Sequence, residues 1–282
     1  MTSRIPQKII IYYIMTIPYI LYKTGPFETI THPTIVECFQ TNEKMLKSKI
    51  VYFNDRACKN FIKQHFGPNI VKAYNKLIPG AYKADLWRLC ILYIYGGIYG
   101  DLTQTFVKEY DVNKDNPDII LVRDRGSTSG AGVYNAFMAA KKRNGFIQYC
   151  IEKLVKQILM NDLGRDSLDI TGPQALRRHY LTFFKKRTID LGLQTLVGID
   201  NKVYRINIPF YHEESSQGRP EVVFCHGLDH GKVFLNRVKN HYKIVYNNNN
   251  IDYSNWWNKQ MFKLHLHHQL QKSKYKMPFQ KK

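Results

Sequence analysis

Two charged residues stand where charge is costly. Asp85 and Arg88 lie three residues apart in Gly80–Tyr95, where Leu86, Trp87, Leu89, Cys90, Ile91, Leu92 and Tyr93 cover every side of a 3.6-residue period. A helix apolar all round is buried, and burying an ion costs several kcal/mol unless it is paired and hydrogen-bonded. The pair is therefore either a structural bridge, which three-residue spacing permits on any helix, or part of a site. The segment runs into Gly96-Gly97 and then Ile98-Tyr99-Gly100-Asp101-Leu102-Thr103. Two glycines let the chain turn from helix into strand and let another backbone come close. Tyr99 and Asp101 share one face by the two-residue period of a strand. A carboxylate at the carboxyl end of a parallel strand points into the crevice where α/β sheets hold ligands. There it can seat a hard divalent cation, magnesium or manganese, which bridges diphosphate oxygens. Taken alone, Asp101 is also compatible with a turn or helix cap, and Thr103 with a ligand or a bystander.

The elements that must position these residues follow from the flanking sequence. Ile17 to Tyr22 is rich in Ile, Leu and Tyr and ends at Lys23-Thr24-Gly25-Pro26, which predicts a strand and its turn. Pro33 suits the first position of a helix carrying Ile35, Cys38, Phe39, Met45 and Leu46, and Ile50 to Phe53 reads as a second strand. Asp55 is placed to cap a helix ending at Phe66, with Gly67 just beyond it. Strand, helix, strand, helix in this order predicts βαβ units and a parallel sheet. Further strands are expected at Ile119 to Val122 and Val133 to Ala139, around a Gly/Ser-rich loop at Gly126 to Gly132. Helices are expected from Phe146 to Met160 and from Thr171-Gly172-Pro173 to about Phe184. Short apolar runs around Leu196, Tyr204 to Phe210 and Val222 to Cys225 suggest more strands.

Composition bounds the rest. The 282 residues carry 42 Lys or Arg against 22 Asp or Glu, a net charge of +20, and 13% are aromatic. That aromatic content excludes a disordered chain, and one or two domains are expected at this length. Nucleic acid, acidic lipid and nucleotide phosphates are the partners such a surplus can serve, but the lysines are spread among acids except in the tail. From Lys259 onward there are seven lysines and no acid, a solvated end or a contact for an anionic surface. His265, His267 and His268 in that tail read as a solvated face or a metal cluster. The five cysteines form no close CxxC pair, which argues against a structural zinc site. Ile9 to Tyr22 carries no charge but spans only ~21 Å as a helix, short of a ~30 Å hydrocarbon core. A cytoplasmic location is favoured, with a Golgi or ER anchor as the alternative.

The block from Ala81 to Arg88, with Leu92-Tyr93 and Gly96-Gly97-Ile98-Tyr99-Gly100-Asp101, resembles the sugar-transferase family containing the Asp-x-Asp motif, glycosyltransferase family 32. Its members include fungal initiating α-1,6-mannosyltransferases and capsular polysaccharide transferases, with clostridial glucosylating toxins as distant relatives. Ile17 to Thr24, Asn135 to Ala140 and Thr171-Gly172-Pro173 are similar to further family segments, so the likeness covers roughly residues 17 to 180. It implies an α/β fold of GT-A type, a mostly parallel Rossmann-like sheet flanked by helices. The expected organisation is one catalytic domain over residues 1–258, a donor half at about 17–140 and an acceptor half at about 141–258, then a basic tail at 259–282.

The implied activity is metal-assisted transfer of a hexose from a UDP- or GDP-linked sugar to a glycan or protein acceptor, with retention at the anomeric carbon and Mn2+ or Mg2+ as cofactor. By resemblance, Asp85, Arg88 and Asp101 are the catalytic set. Tyr22, Asp85, Arg88, Tyr99, Asn135, Ser254 and Trp256 would bind the donor, and Asp101, Thr103 and Asp252 the metal. Thr103 departs from the family, whose second motif position is acidic, and Asp252 is expected to compensate. Tyr22 is equally readable as a core strand residue, Asn135 as a turn cap, and Trp256 and Trp257 as core. The competing functions are a nucleotide-sugar-binding protein with catalysis weakened at Thr103 and a basic nucleic-acid-binding protein. No pair of carboxylates stands out as the acid and nucleophile of a glycosidase.

Overall fold

A computed structural model describes residues 16–124, 130–216, 219–225, 234–235 and 257–260. Its centre is a sheet in the order β10-β9-β5-β6-β3-β1-β2, with β8 also on β5 and β7 on β8. These strands are β1 (Ile20–Gly25), β2 (Lys49–Asn54), β3 (Gly97–Gly100), β5 (Ile119–Arg123), β6 (Val133–Ala140), β7 (Gly192–Val197), β8 (Val203–Ile208), β9 (Phe210–Ser216) and β10 (Arg219–Cys225). β4 (Thr105–Phe106) pairs separately with β11 (Phe234–Leu235). β1 is parallel to both β2 and β3, and β5 is parallel to β8 and β9; β6 runs antiparallel between β3 and β5. Helices cover both faces, so the architecture is α/β.

The alternation of each strand separates two cores. Tyr22, Tyr99, Ile119, Leu121 and Met138 join the larger one, whereas Leu21, Ile98, Ile120, Val122 and Ala139 join the other. On the first side lie α2 (Asp55–His65), α3 (Pro68–Lys76), α4 (Gly80–Tyr95), α5 (Gly145–Leu159) and α6 (Pro173–Phe183). On the second lies α1 (Pro33–Leu46), whose Leu46 packs there. The uniform apolar character of α4 is explained by this placement, between the sheet and an outer layer of helices. Eight of its apolar side chains are buried, each contributing roughly 1.5–3 kcal/mol, enough to offset the several kcal/mol that one well-paired ion pair costs.

Several boundaries differ from expectation for local reasons. The first strand begins at Ile20, because Pro18 has no N–H for a ladder and its carbonyl instead accepts from the Ile20 amide at 2.8 Å. Asn54, rather than Asp55, caps α2, accepting from the Ala57 amide. Gly67 does not end that helix in a left-handed turn; it is extended, with φ −70°, and opens α3. Pro68 forces this, since a residue before proline is held in the extended region. None of the described helices is long and apolar enough to cross a membrane.

The glycine pair after α4 has a steric role. Gly97 has φ +103°, and a Cβ there would meet the Ile20 carbonyl at 2.9 Å and Tyr22 Cε2 at 3.0 Å. Only glycine adopts this conformation without strain. Gly97→Ala is expected to lower stability by about 1–3 kcal/mol, read as a lower midpoint in thermal unfolding; an unchanged midpoint would show that the crossover tolerates a side chain.

Candidate active site

Arg88 is the hub. It lies on α4 with its guanidinium buried, Nη2 2.9 Å from Asp85 Oδ1 and Nη1 3.6 Å from Asp101 Oδ1. Its Nε donates to the Ala84 carbonyl at 3.2 Å, Nη1 donates to the Asn135 carbonyl, and the Tyr99 ring lies 4.4 Å from Cζ. Asp85 is as fully engaged: Oδ1 also accepts from Asn135 Nδ2 and Oδ2 from the Thr171 hydroxyl, both at 2.8 Å. One helix, three loop or strand ends and the turn before α6 thus converge on a single ion pair.

Asn135 reaches this cluster through an irregularity in β6. The β5–β6 register jumps from Leu121 opposite Met138 to Val122 opposite Tyr134, so four steps on β6 answer one on β5. Such bulges re-aim side chains and are common beside active sites. Here the bulge directs both the carbonyl and the amide of Asn135 at the Asp85–Arg88 pair.

Asp101 follows the last ladder residue of β3. Its amide donates to the Ala136 carbonyl at 3.0 Å, its carbonyl accepts from the Gln104 amide at 3.0 Å, and Oδ1 accepts from the Tyr99 hydroxyl at 2.8 Å. The expectation that Tyr99 and Asp101 share a face agrees with this bond. The Asp101 side chain is 37% exposed, whereas Asp85 and Arg88 are buried. Oδ2 has no hydrogen-bond partner among the described residues. One half-exposed carboxylate oxygen is a fitting donor for a hard cation that draws its other oxygens from water and phosphate.

The other expected residues fare differently. Thr103, the second motif position, is fully buried. Tyr22 pairs in register with Tyr99, but it is only 4% exposed within the larger core. Its ring leans over Gly97, at the end of β3 away from Asp101, and packs 6.4 Å from Phe53. Tyr22 is thus packed in the larger core, as the core-strand alternative expected. Asp252, Ser254 and Trp256 lie outside the described residues, as do His265, His267 and His268. Trp257 donates from Nε1 to the Leu163 carbonyl at 2.9 Å and packs on the core. Among the described residues no three His, Cys, Asp or Glu side chains are grouped to share a metal ion. Two hollows of about 450 and 520 Å3 open among the outer helices, and neither is lined by Asp85, Arg88 or Asp101.

Two contributors escaped the sequence reading. Thr171 belongs to a recognised Thr-Gly-Pro turn, yet only the folded chain places it on Asp85, 86 residues away. Lys23 looked like a strand-end turn residue. It is fully buried, donating to the Asp101 carbonyl at 2.7 Å and the Gln104 carbonyl at 3.1 Å. A lone lysine after an aromatic strand carries no signal for that.

Burial pushes the Asp85 carboxyl up to about 6, against the pull of Arg88 and of the Thr171 and Asn135 hydrogen bonds, while the Asp101 charge adds to the rise. Its folded value exceeds its unfolded one, so the native state binds the extra proton between about pH 4 and 6. This contribution to stability is complete below pH 4 and lost as pH rises through 6, and it amounts to roughly 3 kcal/mol. Urea unfolding across pH 4–7 should give a slope that Asp85→Asn flattens by about this amount; identical slopes for the two proteins would show that Asp85 ionises as in water.

Comparison with known proteins places this geometry. Residues 32–119 match the family described as the glycosyltransferase sugar-binding region containing the DXD motif. An uncharacterized glycosyltransferase of Acanthamoeba polyphaga mimivirus is 34% identical over 96 residues, which are 34% of this chain and 31% of that protein. The chain thus spans about a third of the length of that relative. Among solved structures, the PaToxG glycosyltransferase superposes with a TM-score of 0.48 at 15% identity, covering 62% of this chain and 74% of its own. The matched family region contains Asp85, Arg88 and Asp101 but ends before Asn135 and Thr171.

Proposed function

We propose that this chain transfers a sugar from a nucleotide-diphosphate donor, UDP- or GDP-linked, to a glycan or protein acceptor, with divalent-metal assistance and retention of anomeric configuration. The observation that carries the reading is the guanidinium of Arg88 strung between Asp85 and Asp101 at the carboxyl edge of the parallel strands. There a buried cation faces a partly exposed carboxylate, one oxygen of which has no hydrogen-bond partner among the described residues.

Each residue has a task that its contacts allow. Asp101 would hold Mn2+ or Mg2+ through Oδ2, with Asp252 as a further ligand. The cation, when bound, supplies charge neutralisation to the departing diphosphate. Tyr99 keeps Oδ1 engaged and so fixes the rotamer of Asp101. Arg88 has five N–H groups, and its hydrogen bonds to Ala84, Asn135 and Asp85 use three. The remaining two are available for donor-sugar hydroxyls or a phosphate oxygen on the Asp101 side. Asp85 has three of its lone-pair sites occupied and acts mainly by orienting Arg88 and Asn135, with one site left for a sugar hydroxyl. Preorganised charge of this kind lowers the barrier because it need not reorient as the anomeric bond breaks, and fixed donor geometry adds several kcal/mol through orientation. Ser254 and Trp256 would complete the donor side. Retention is read as front-face attack, with the leaving diphosphate accepting the acceptor proton. The uncharged, buried Thr103 favours one second reading, a sugar-nucleotide binder that turns over poorly or not at all.

Calorimetric titration with UDP and GDP, with and without Mn2+, followed by a screen of sugar nucleotides for release of nucleotide, separates these readings. One nucleotide is expected to bind at least tenfold more tightly with Mn2+, and Asp101→Asn should lose that gain and the metal-stimulated turnover while the protein stays folded. Asp252→Ala should weaken Mn2+ dependence in the same direction. Binding without release of sugar or nucleotide would favour the weakened protein, and no binding of either nucleotide would sink the transferase reading.

A further inference from the structure

Lys23 is a charge with no exposure at all. It lies on β1 beside Tyr22, but alternation sends it to the opposite side of the sheet, beneath the turn formed by residues 101–104. Its ammonium donates to the carbonyls of Asp101 and Gln104, the first and last residues of that turn, and sits 5.7 Å from the Phe39 ring. Asn42 of α1 holds the same turn from the side: Nδ2 donates to the Gln104 carbonyl and Oδ1 accepts from the Phe106 amide, both at 2.7 Å. A Cβ at Gly100 would crowd Gln104 Oε1 at 3.2 Å and Leu21 Cδ1 at 3.3 Å, beside the ammonium.

Taking an ammonium out of water costs more than two carbonyl hydrogen bonds return. An apolar side chain would fill this place on β1 more cheaply. The cost is accounted for if the cation determines something that packing alone does not. Every other polar atom of Asp101 except Oδ2 is already tied: the amide to Ala136, the carbonyl to Gln104 and Lys23, Oδ1 to Tyr99. With Thr103 in the second motif position, the site depends more heavily on how the Asp101 carboxylate is aimed.

We propose that Lys23 is a positioning residue for the sugar-nucleotide site. By clamping the two carbonyls that bound the Asp101–Gln104 turn, it fixes the direction in which Asp101 offers Oδ2 to the cation and diphosphate of the donor. This rests on the transferase reading above and adds to it a residue on the far face of the sheet that touches neither substrate nor metal.

The test compares wild type with Lys23→Met and Lys23→Arg. Mn2+ affinity is read by the electron paramagnetic resonance of free Mn2+ in the presence of UDP or GDP, and nucleotide affinity without metal by calorimetry. Amide hydrogen exchange at Gln104 reports the turn itself. Lys23→Met is expected to weaken Mn2+ at least tenfold, change metal-free nucleotide binding by less than twofold, and speed exchange at Gln104 at least tenfold. Lys23→Arg, which keeps charged donors, should recover part of the loss. If Lys23→Met does not fold, Lys23→Gln, which retains one donor without the charge, serves for the same comparison. A folded variant that binds Mn2+ as wild type does would overturn the role of Lys23 while leaving the transferase reading intact. A wild type that binds neither nucleotide with Mn2+ would overturn both.

Discussion

A guanidinium removed from water must find its partners inside the protein, and at Arg88 those partners come from distant parts of the chain. Asp85 is on the same helix, Tyr99 and Asp101 follow the glycine crossover, Asn135 projects from a bulge in β6, and Thr171 adds its bond through Asp85. Removing any one leaves another buried polar group short of a partner, which costs about 1–3 kcal/mol for a neutral group and more for a charge. This constraint specifies the site. The helix must enter apolar on all sides, the crossover must be tight enough to bring β3 under it, and β6 must break its register to deliver an amide.

The arrangement is two-layered in charge. On the α4 side of the sheet, Asp85 and Asp101 flank one guanidinium, so the cluster carries a surplus negative charge until a cation joins it. On the α1 side, Lys23 holds the turn without reaching the opening. Between those layers the Asp101 carboxylate keeps one oxygen without a hydrogen-bond partner among the described residues, a donor suited to a hard cation.

Much of the fold was legible because periodicity reports burial directly. The uniform hydrophobicity of α4, the Pro33 start of α1 and the strands at Ile119 and Val133 all follow from local pattern. The sites of error were equally physical. Pro68 controls Gly67 from the next residue, and Pro18 delays β1, effects that a residue-by-residue reading of turns underweights. Asp85 and Arg88 stood out because ions in an apolar run contradict their surroundings, and Asp101 because a carboxylate follows the double glycine at a strand end. The Asn135 bulge, the reach of Thr171 and the burial of Lys23 were not, because each depends on a contact more than 45 residues away. The packing of the Tyr22 ring over Gly97 was illegible for a related reason: strand position was readable, but the space that the glycine leaves was not.

The central claim is that Asp85 and Arg88 form one coupled unit, and a double-mutant cycle in unfolding free energy tests it most directly. Arg88→Met, Asp85→Leu and the double variant are compared with wild type by urea denaturation. Each single change is predicted to cost about 3–5 kcal/mol, because it strands a buried charge. The double variant should cost at least ~2 kcal/mol less than the sum of the two. Additivity within ~0.5 kcal/mol would contradict the account, since it would mean that the two charges are independently accommodated and that the convergence on Arg88 does not organise the site.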